Sequence, residues 1–207
     1  MEADAVELRV LGCLIEKQRT TPDQYPLSLN ALRLACNQST NRDPVVDYDE
    51  PTIRNALHRM SDRGWARLAS GAGSRAIKYR HLLDEALEVS PSELALLAVL
   101  MLRGAQTPGE LKQRAERLYP FGSLADVEGT LERLIARELV RRLPRRAGQK
   151  EQRYEHALGE GGAEAGPEPS AHPEQPARPA DSLAARLDAL EERVSRLETA
   201  GVPRNPD

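Results

Sequence analysis

The fold is decided by IRNALHRMSDR, residues 53–63, because the same pattern recurs 74 positions later as VEGTLERLIAR, residues 127–137. Later in the chain, where the spacing has grown by one position, residues 79–81, YRH, recur as residues 154–156, YEH. Repetition at a fixed spacing indicates that a chain holds more than one copy of a structural unit. The sequence therefore predicts two copies of one small domain, in residues 1–88 and 89–158.

The first copy is twelve residues longer than the second. Upstream of the repeated helix, equivalent residues are 86 positions apart, and Thr21-Pro22 then matches Thr107-Pro108. We therefore place the extra residues between Pro22 and Ile53. We expect them to form a long turn and a second helix that wrap the first copy, and the alternative is a small-ligand pocket between the copies.

Each copy is predicted to contain three helices followed by a two-stranded ribbon. In the second copy, Ser90, Pro91 and Glu93 form a typical helix start, and apolar residues then recur at helical spacing. Three helices and a β-hairpin form a winged helix, a helix-turn-helix variant whose third helix can enter a major groove. The predicted fold class is mainly α with small β-hairpin wings, arranged as two tandem winged-helix domains.

The first copy also carries a stretch that resembles a known family. Residues 20–44, TTPDQYPLSLNALRLACNQSTNRDP, and the helix and hairpin that follow are similar to the bacterial YceH-like proteins. The similarity covers residues 1 to about 158. It implies a tandem winged-helix fold with a coiled-coil-like tail, and it carries no functional residues over to this chain.

The end of the chain is predicted to form a linker and a short coiled coil. Residues 159–180 are mostly Gly, Pro, Ala and Glu without apolar periodicity, which predicts a disordered tether. In residues 181–200 the apolar side chains follow one another at intervals of four and three residues in turn, which is the heptad pattern of a coiled coil that pairs two chains. Residues 201–207 are predicted to be disordered. The alternative is an amphipathic helix that docks on its own chain. The predicted dimerisation residues are Leu183, Leu187, Leu190, Val194 and Leu197.

The charge of the chain excludes some modes of nucleic-acid binding. A net charge of −3 rules out a protein that coats nucleic acid through bulk positive charge, and 1 Trp and 1 Phe leave little for base stacking. Locally, residues 54–80 hold seven basic residues and one acidic residue, and residues 137–153 hold seven basic residues and two acidic residues. Both predicted hairpins are therefore basic, which suits phosphate contacts, and the alternative is that these charges are merely solvated.

The third helix of the first copy is predicted to read base edges. Its exposed side chains are of the types that donate to guanine or pair with adenine in a major groove. Reversal of Arg54 and Arg59 to Glu is predicted to abolish duplex binding. The predicted DNA-binding residues are Arg54, Asn55, His58 and Arg59 on this helix, Arg75 and Lys78 on the first hairpin, and Arg141, Arg142, Arg145, Arg146 and Lys150 on the second.

The third helix of the second copy differs in charge. Asp126, Glu128 and Glu132 lie beside Arg133. Carboxylates along this face would repel phosphates. We therefore expect this helix to contact the other domain or a protein partner.

No arrangement of residues indicates an enzyme, a cofactor or a metal site. HExxH, P-loop, GxSxG and Cys/His ligand spacings are absent from the sequence. His81 and His156 occupy equivalent positions of the repeat, which favours a shared role in the strands over a metal pair. Cys13 and Cys36 lie in apolar helical patterns and are predicted to be buried free thiols.

The chain is predicted to be cytoplasmic, with no membrane partner. Its first residues, MEADAVE, lack the basic region of a signal peptide, and its longest apolar run, residues 94–102, is too short to span a bilayer.

Together these patterns favour a homodimer that binds double-stranded DNA and regulates transcription. The alternative is a protein-interaction adaptor, analogous in architecture to the tandem winged-helix subunit of bacterial chromosome-condensation complexes. The basic hairpins favour the first hypothesis, and the acidic helix and low isoelectric point favour the second. A steep fall in duplex affinity with salt would distinguish them.

Overall fold

The computed structural model describes residues 3–69, 77–145 and 151–159. These residues are mainly helical, with antiparallel sheets of three and two strands, so the predicted balance of helix and strand is confirmed. Some predicted site residues lie outside the described residues: Arg75, Arg146, Lys150, Leu183, Leu187, Leu190, Val194 and Leu197.

The first copy begins with three helices, α1 (Ala5–Thr20), α2 (Leu29–Cys36) and α3 (Glu50–Asp62). Each begins after a side chain that accepts a hydrogen bond from a free backbone amide of the first turn. These N-caps are Asp4, Ser28 and Asp49. The inward face of α3 carries apolar residues at helical spacing, all of them buried: Ile53, Ala56, Leu57 and Met60.

A three-stranded antiparallel sheet completes the first copy. Strands β2 (Ala66–Leu68) and β3 (Lys78–His81) form a hairpin, and β1 (Leu27–Ser28) pairs with the other edge of β3. A short helix, α4 (Leu83–Leu87), then leads into the second copy.

The second copy repeats this order of elements. Its helices and strands are α5 (Pro91–Arg103), α6 (Pro108–Ala115), α7 (Leu124–Ala136), β4 (Val140–Arg142) and β5 (Tyr154–His156). Gln106 exchanges backbone hydrogen bonds of 2.9 and 2.8 Å with Tyr154 and so takes the place of β1. The turn after α7 is left-handed at Glu138 (φ 57), as the turn after α3 is at Gly64 (φ 72). Three helices and a hairpin are therefore observed in both copies.

The extra residues of the first copy are distributed over three places, and our prediction of one insertion after Pro22 was wrong. Ser28 and Thr107 are the equivalent N-caps, because they open α2 and α6, which are eight residues each. Thr21-Pro22 instead opens a short 3-10 helix that the second copy lacks in its described residues. The added length lies in α1, with 16 residues against 13 in α5, and in the loops before and after α2. A Thr-Pro pair starts either kind of helix, so the motif alone could not fix the alignment.

The two copies pack together through their first helices, α1 and α5. Residues 94–102 of α5 are all buried, because the helix contacts α6, α7 and β5 of its own copy and α1 of the other. A helix that is enclosed in this way is apolar all round, which explains the longest apolar run of the sequence. Gly12 permits the close approach, since a Cβ there would lie 2.8 Å from Cγ of Leu102. Both copies therefore share one core.

The loop between α2 and α3, residues 37–49, is held by buried arginines. Arg9 donates to the carbonyl oxygen of Pro44 over 2.6 Å, and Arg42 donates to that of Ala35 over 3.0 Å. The amide of Asp43 donates to the carbonyl oxygen of Leu102, 2.9 Å away, so the loop also contacts the second copy.

Among the helices of the described residues, none has both the length and the apolar character of a membrane-spanning segment.

Candidate nucleic-acid interface

The outward face of α3 is polar and open to solvent. Arg54, Asn55 and His58 are exposed, because they alternate with the buried stripe of the helix. His58 lies 3.3 Å from the carboxylate of Asp62, one turn away. In the part of the chain that the structure describes, neither Arg54 nor Asn55 has a side-chain hydrogen bond or ion pair. This face therefore presents one guanidinium, one amide and one imidazole to solvent.

Arg59 also lies on α3, but it is bound to the start of the chain. Its guanidinium lies 2.5 Å from the Asp4 carboxylate and 3.5 Å from that of Glu7, which is 1% exposed. Arg63, one turn later, donates to the same Glu7 carboxylate over 2.9 Å. Arg59 is therefore part of an ion-pair network that fastens α3 to the N-terminus of α1.

The second copy contains the same network. Glu93 lies 3.4 Å from Arg133 and 4.0 Å from Arg137, which are the counterparts of Arg59 and Arg63. Like Glu7, Glu93 also accepts a hydrogen bond from the N-cap amide of its own helix, over 2.8 Å from Ser90. The repeated arginines therefore have a structural role in both copies. Sequence reasoning missed this network, although one signal was available: Glu7 and Glu93 are 86 positions apart, which is the spacing between the first helices.

The outward face of α7 has the opposite charge. Its exposed residues include Glu128, Gly129 and Glu132, which take the positions of Arg54, Asn55 and His58. Arg133, which is also exposed, donates to the carbonyl oxygen of Gly129 over 3.2 Å. At these three positions the guanidinium, amide and imidazole of α3 are therefore replaced by a carboxylate, a glycine and a carboxylate in α7.

The first hairpin concentrates positive charge on its outer face. Arg67 lies directly opposite Arg80, and Lys78 shares their face by alternation along β3. Like charges opposite each other destabilise a sheet. Arg80 is compensated by Glu85, 2.9 Å away, whereas Arg67 has no ion pair within the described residues. The pairing of Arg67 with Arg80 is thus not explained by the stability of the sheet.

The second hairpin neutralises the equivalent positions. Arg141 lies opposite Glu155 and donates to its carboxylate over 2.8 Å. Arg142 pairs with Glu132 of α7. Arg145 is exposed. Two of the predicted phosphate contacts on this hairpin therefore have carboxylate partners within the copy itself.

The repeated histidines and the cysteines have structural environments. His81 and His156 are buried at equivalent strand positions, opposite Ala66 and Val140. Burial lowers the pKa of His81 to about 4 and also lowers that of His156, so both rings are neutral at pH 7.

Cys13 and Cys36 are buried free thiols, as predicted. A hydrogen bond with Cys13, together with burial, raises the pKa of the Cys36 thiol far above its ordinary range. The Cys36 thiol is therefore not poised as a nucleophile. In residues 3–69, 77–145 and 151–159, no group of three or more His, Cys, Asp or Glu side chains could hold a metal ion.

Both copies fall within one family of proteins. A family model described as "Protein of unknown function, DUF480" matches residues 3–149. The chain belongs to this family. Members of the DUF480 family match nearly its whole length: the UPF0502 protein of Pectobacterium carotovorum is 42% identical over 204 residues, which cover 95% of each chain.

Two further relatives extend this comparison. The UPF0502 protein of Geobacter metallireducens is 49% identical over 197 residues, which cover 94% of this chain and 86% of the relative. The UPF0502 protein YceH of Escherichia fergusonii is 44% identical over 205 residues, which cover 95% and 93%. The resemblance to YceH-like proteins is therefore confirmed, and the DUF480 match spans α3 as well as α7.

Proposed function

We propose that this DUF480 protein binds double-stranded DNA through its first copy. In this proposal each copy is a winged helix, α3 enters the major groove, and the hairpin of β2 and β3 contacts the phosphate backbone. The observation that carries the proposal is the exposed face of α3, where Arg54, Asn55 and His58 are the residue types that pair with base edges. Arg67 of the hairpin, which has no ion pair within the described residues, adds a phosphate contact in this proposal.

The rest of the chain fits a regulator of transcription in this proposal. Heptad pairing through residues 181–200 would join two chains, so that each dimer presents two copies of α3 to DNA. A cytoplasmic location follows from the same function. The second copy then serves as a scaffold, because its cations at Arg141 and Arg142 are already paired with carboxylates.

The test is a titration of the protein into fluorescent duplexes of random sequence, followed by anisotropy at low and moderate salt. We expect affinity to fall steeply with salt, because each phosphate contact releases counterions. Arg54→Glu should weaken binding about tenfold or more, because the reversal removes a cation from the interface and brings a carboxylate close to the phosphates. Arg59 is a poorer choice, because reversing it would place a carboxylate beside Glu7 and disturb the fold.

The matched control is Arg117→Glu, an equal charge reversal at an exposed residue of the second copy. It should change duplex affinity less than about twofold, in line with a distant surface charge. Absence of binding at low salt, or equal affinity of the Arg54→Glu and Arg117→Glu variants, would refute the proposal.

A second candidate function is a protein-interaction adaptor. The observation in its favour is α7, whose outward Glu128 and Glu132 would repel a phosphate backbone but suit a basic protein surface. The same titration separates the two candidates, because an adaptor shows no salt-dependent affinity for random duplexes.

A further inference from the structure

A cavity of about 440 Å³ lies between the two copies. Its walls come from the end of α1, the loop between α2 and α3, and helices α5 and α6. This volume is in the range of sites that bind small metabolites. None of its lining residues belongs to α3 or to the described part of the first hairpin, so it is distinct from the proposed DNA interface.

Three arginines line this cavity. Arg103 ends α5, Arg114 lies on α6, and Arg117 follows α6. Within the described residues, Arg103 and Arg117 have no ion pair, and Arg114 has only Glu110, 3.5 Å away. Guanidinium groups form bidentate contacts with carboxylates and phosphates, so a group of three is suited to an anion with several charges.

The positive charges of the cavity act on one another. The pKa of Arg103 is lowered by burial and by the nearby Arg114 and Arg42. Side chains of like charge destabilise a fold when no anion compensates them. Within the described residues, the Arg103 side chain donates one hydrogen bond, to the side chain of Asn41, and its other N–H groups have no partner there.

One carboxylate, that of Glu16, also lines the cavity. It is held by Arg42, whose side chain is fully buried and lies 2.6 Å away. Because Arg42 compensates this carboxylate, the three lining arginines keep an excess of positive charge. The remaining wall is mixed, with the amide of Gln113 beside the apolar side chains of Val99 and Leu118.

We propose that this cavity binds a small organic anion that carries two or more carboxylate or phosphate groups. The arginines bind its charged groups, the side chains of Asn41 and Gln113 accept or donate hydrogen bonds, and Val99 and Leu118 contact its carbon skeleton. Such a ligand bridges both copies, so it stabilises their packing as well as occupying the site.

The test is isothermal titration calorimetry of the full chain with citrate, succinate and ATP at low salt, together with thermal unfolding. We expect at least one of these anions to bind with a Kd below about 1 mM and to raise the Tm. Arg103→Gln combined with Arg114→Gln should weaken that binding at least about tenfold, because two bidentate partners are lost.

The matched control is Arg54→Gln, which removes an exposed arginine of α3 and should leave the Kd unchanged. If the double variant does not fold, the exposed Arg117→Gln provides a single substitution with an expected loss of about threefold or more. Failure of all three anions to bind, or equal binding by the variants and the control, would overturn the proposal. These outcomes are independent of duplex binding, which Arg54 governs and Arg117 does not.

Discussion

The two copies share their interior and differ in their exterior. The buried positions of the third helices match: Ile53, Leu57 and Met60 in α3, and Val127, Leu131 and Leu134 in α7. The exposed positions do not match: Arg54, Asn55 and His58 in α3, and Glu128, Gly129 and Glu132 in α7. Packing fixes the inward residues of a helix, whereas solvent-facing residues are free to serve a partner. The comparison therefore supports our proposal that the two surfaces serve different partners on one scaffold.

The shared interior is most sensitive where α1 and α5 touch. We predict that Gly12→Val lowers the free energy of unfolding by about 1–3 kcal/mol, because the new side chain meets Leu102 in a closely packed core. Urea unfolding followed by circular dichroism measures the change. Since the copies share one core, the variant should unfold in a single transition at lower urea.

A matched glycine substitution on the exterior provides the control. Gly129→Ala adds a methyl group on α7 with no atom within 4 Å. It should raise the free energy of unfolding by up to about 1 kcal/mol, as alanine favours the helix. A Gly12→Val variant as stable as the parent would mean that the copies do not depend on each other.

The sequence predicted the three helices and the hairpin of each copy, in order, because these elements follow short-range rules, but it did not predict β1, the 3-10 helix or α4. N-caps such as Ser90 and apolar stripes such as that of α3 depend on neighbours within one turn, so they can be recognised without a structure. The position of the extra residues could not be predicted in this way. It depends on two backbone pairings between distant segments, that of β1 with β3 and that of Gln106 with Tyr154.

The candidate site was predictable only for side chains that point away from the protein. Arg54, Asn55 and His58 are exposed, as their helical phase indicates. Arg59 has the same sequence character but contacts Asp4, 55 positions earlier. Local patterns do not record such long-range ion pairs, nor the group of arginines that meets between the copies.

The ion-pair networks offer a second test of the comparison. Glu7→Gln should destabilise the protein by about 1–3 kcal/mol, because a buried carboxylate that accepts a hydrogen bond from Arg63 and forms an ion pair with Arg59 loses its charge. Glu93→Gln should have a smaller effect, since its nearer arginine lies 3.4 Å away, against 2.9 Å for the nearer arginine of Glu7. Urea unfolding of both variants at pH 7 measures the difference. Equal losses would contradict this ranking.

The Glu93 network also predicts a dependence on pH. Burial raises the pKa of Glu93, but the hydrogen bonds from Ser90 and the nearby Arg133 and Arg137 outweigh it and lower the pKa from 4.5. A lowered pKa means that the ionised carboxylate stabilises the folded state, and that this contribution is lost as pH falls below 4.5. The Glu93→Gln variant should therefore lose less stability than the parent across that range. If the free energy of unfolding of the two proteins fell equally as pH was lowered, the ionised Glu93 would not be the source of this pH dependence.

The smallest expected effect is on duplex affinity, when the exposed residues of α7 are replaced by those of α3. We predict that the variant with Glu128→Arg, Gly129→Asn and Glu132→His binds random duplexes about two- to fivefold more tightly, because two repelling carboxylates are removed and one cation is added. Loss of the surface pair between Glu132 and Arg142 should cost little stability. Anisotropy at low salt measures the gain.

A control with the same change of charge, Asp23→His and Glu116→Arg, separates position from charge. Both residues are exposed and lie off α7. An equal gain in the two proteins would show that α7 does not face DNA and that only net charge matters. A gain confined to the α7 variant would show that both third helices reach the duplex, so that the acidic face of the second copy limits how tightly the whole protein binds.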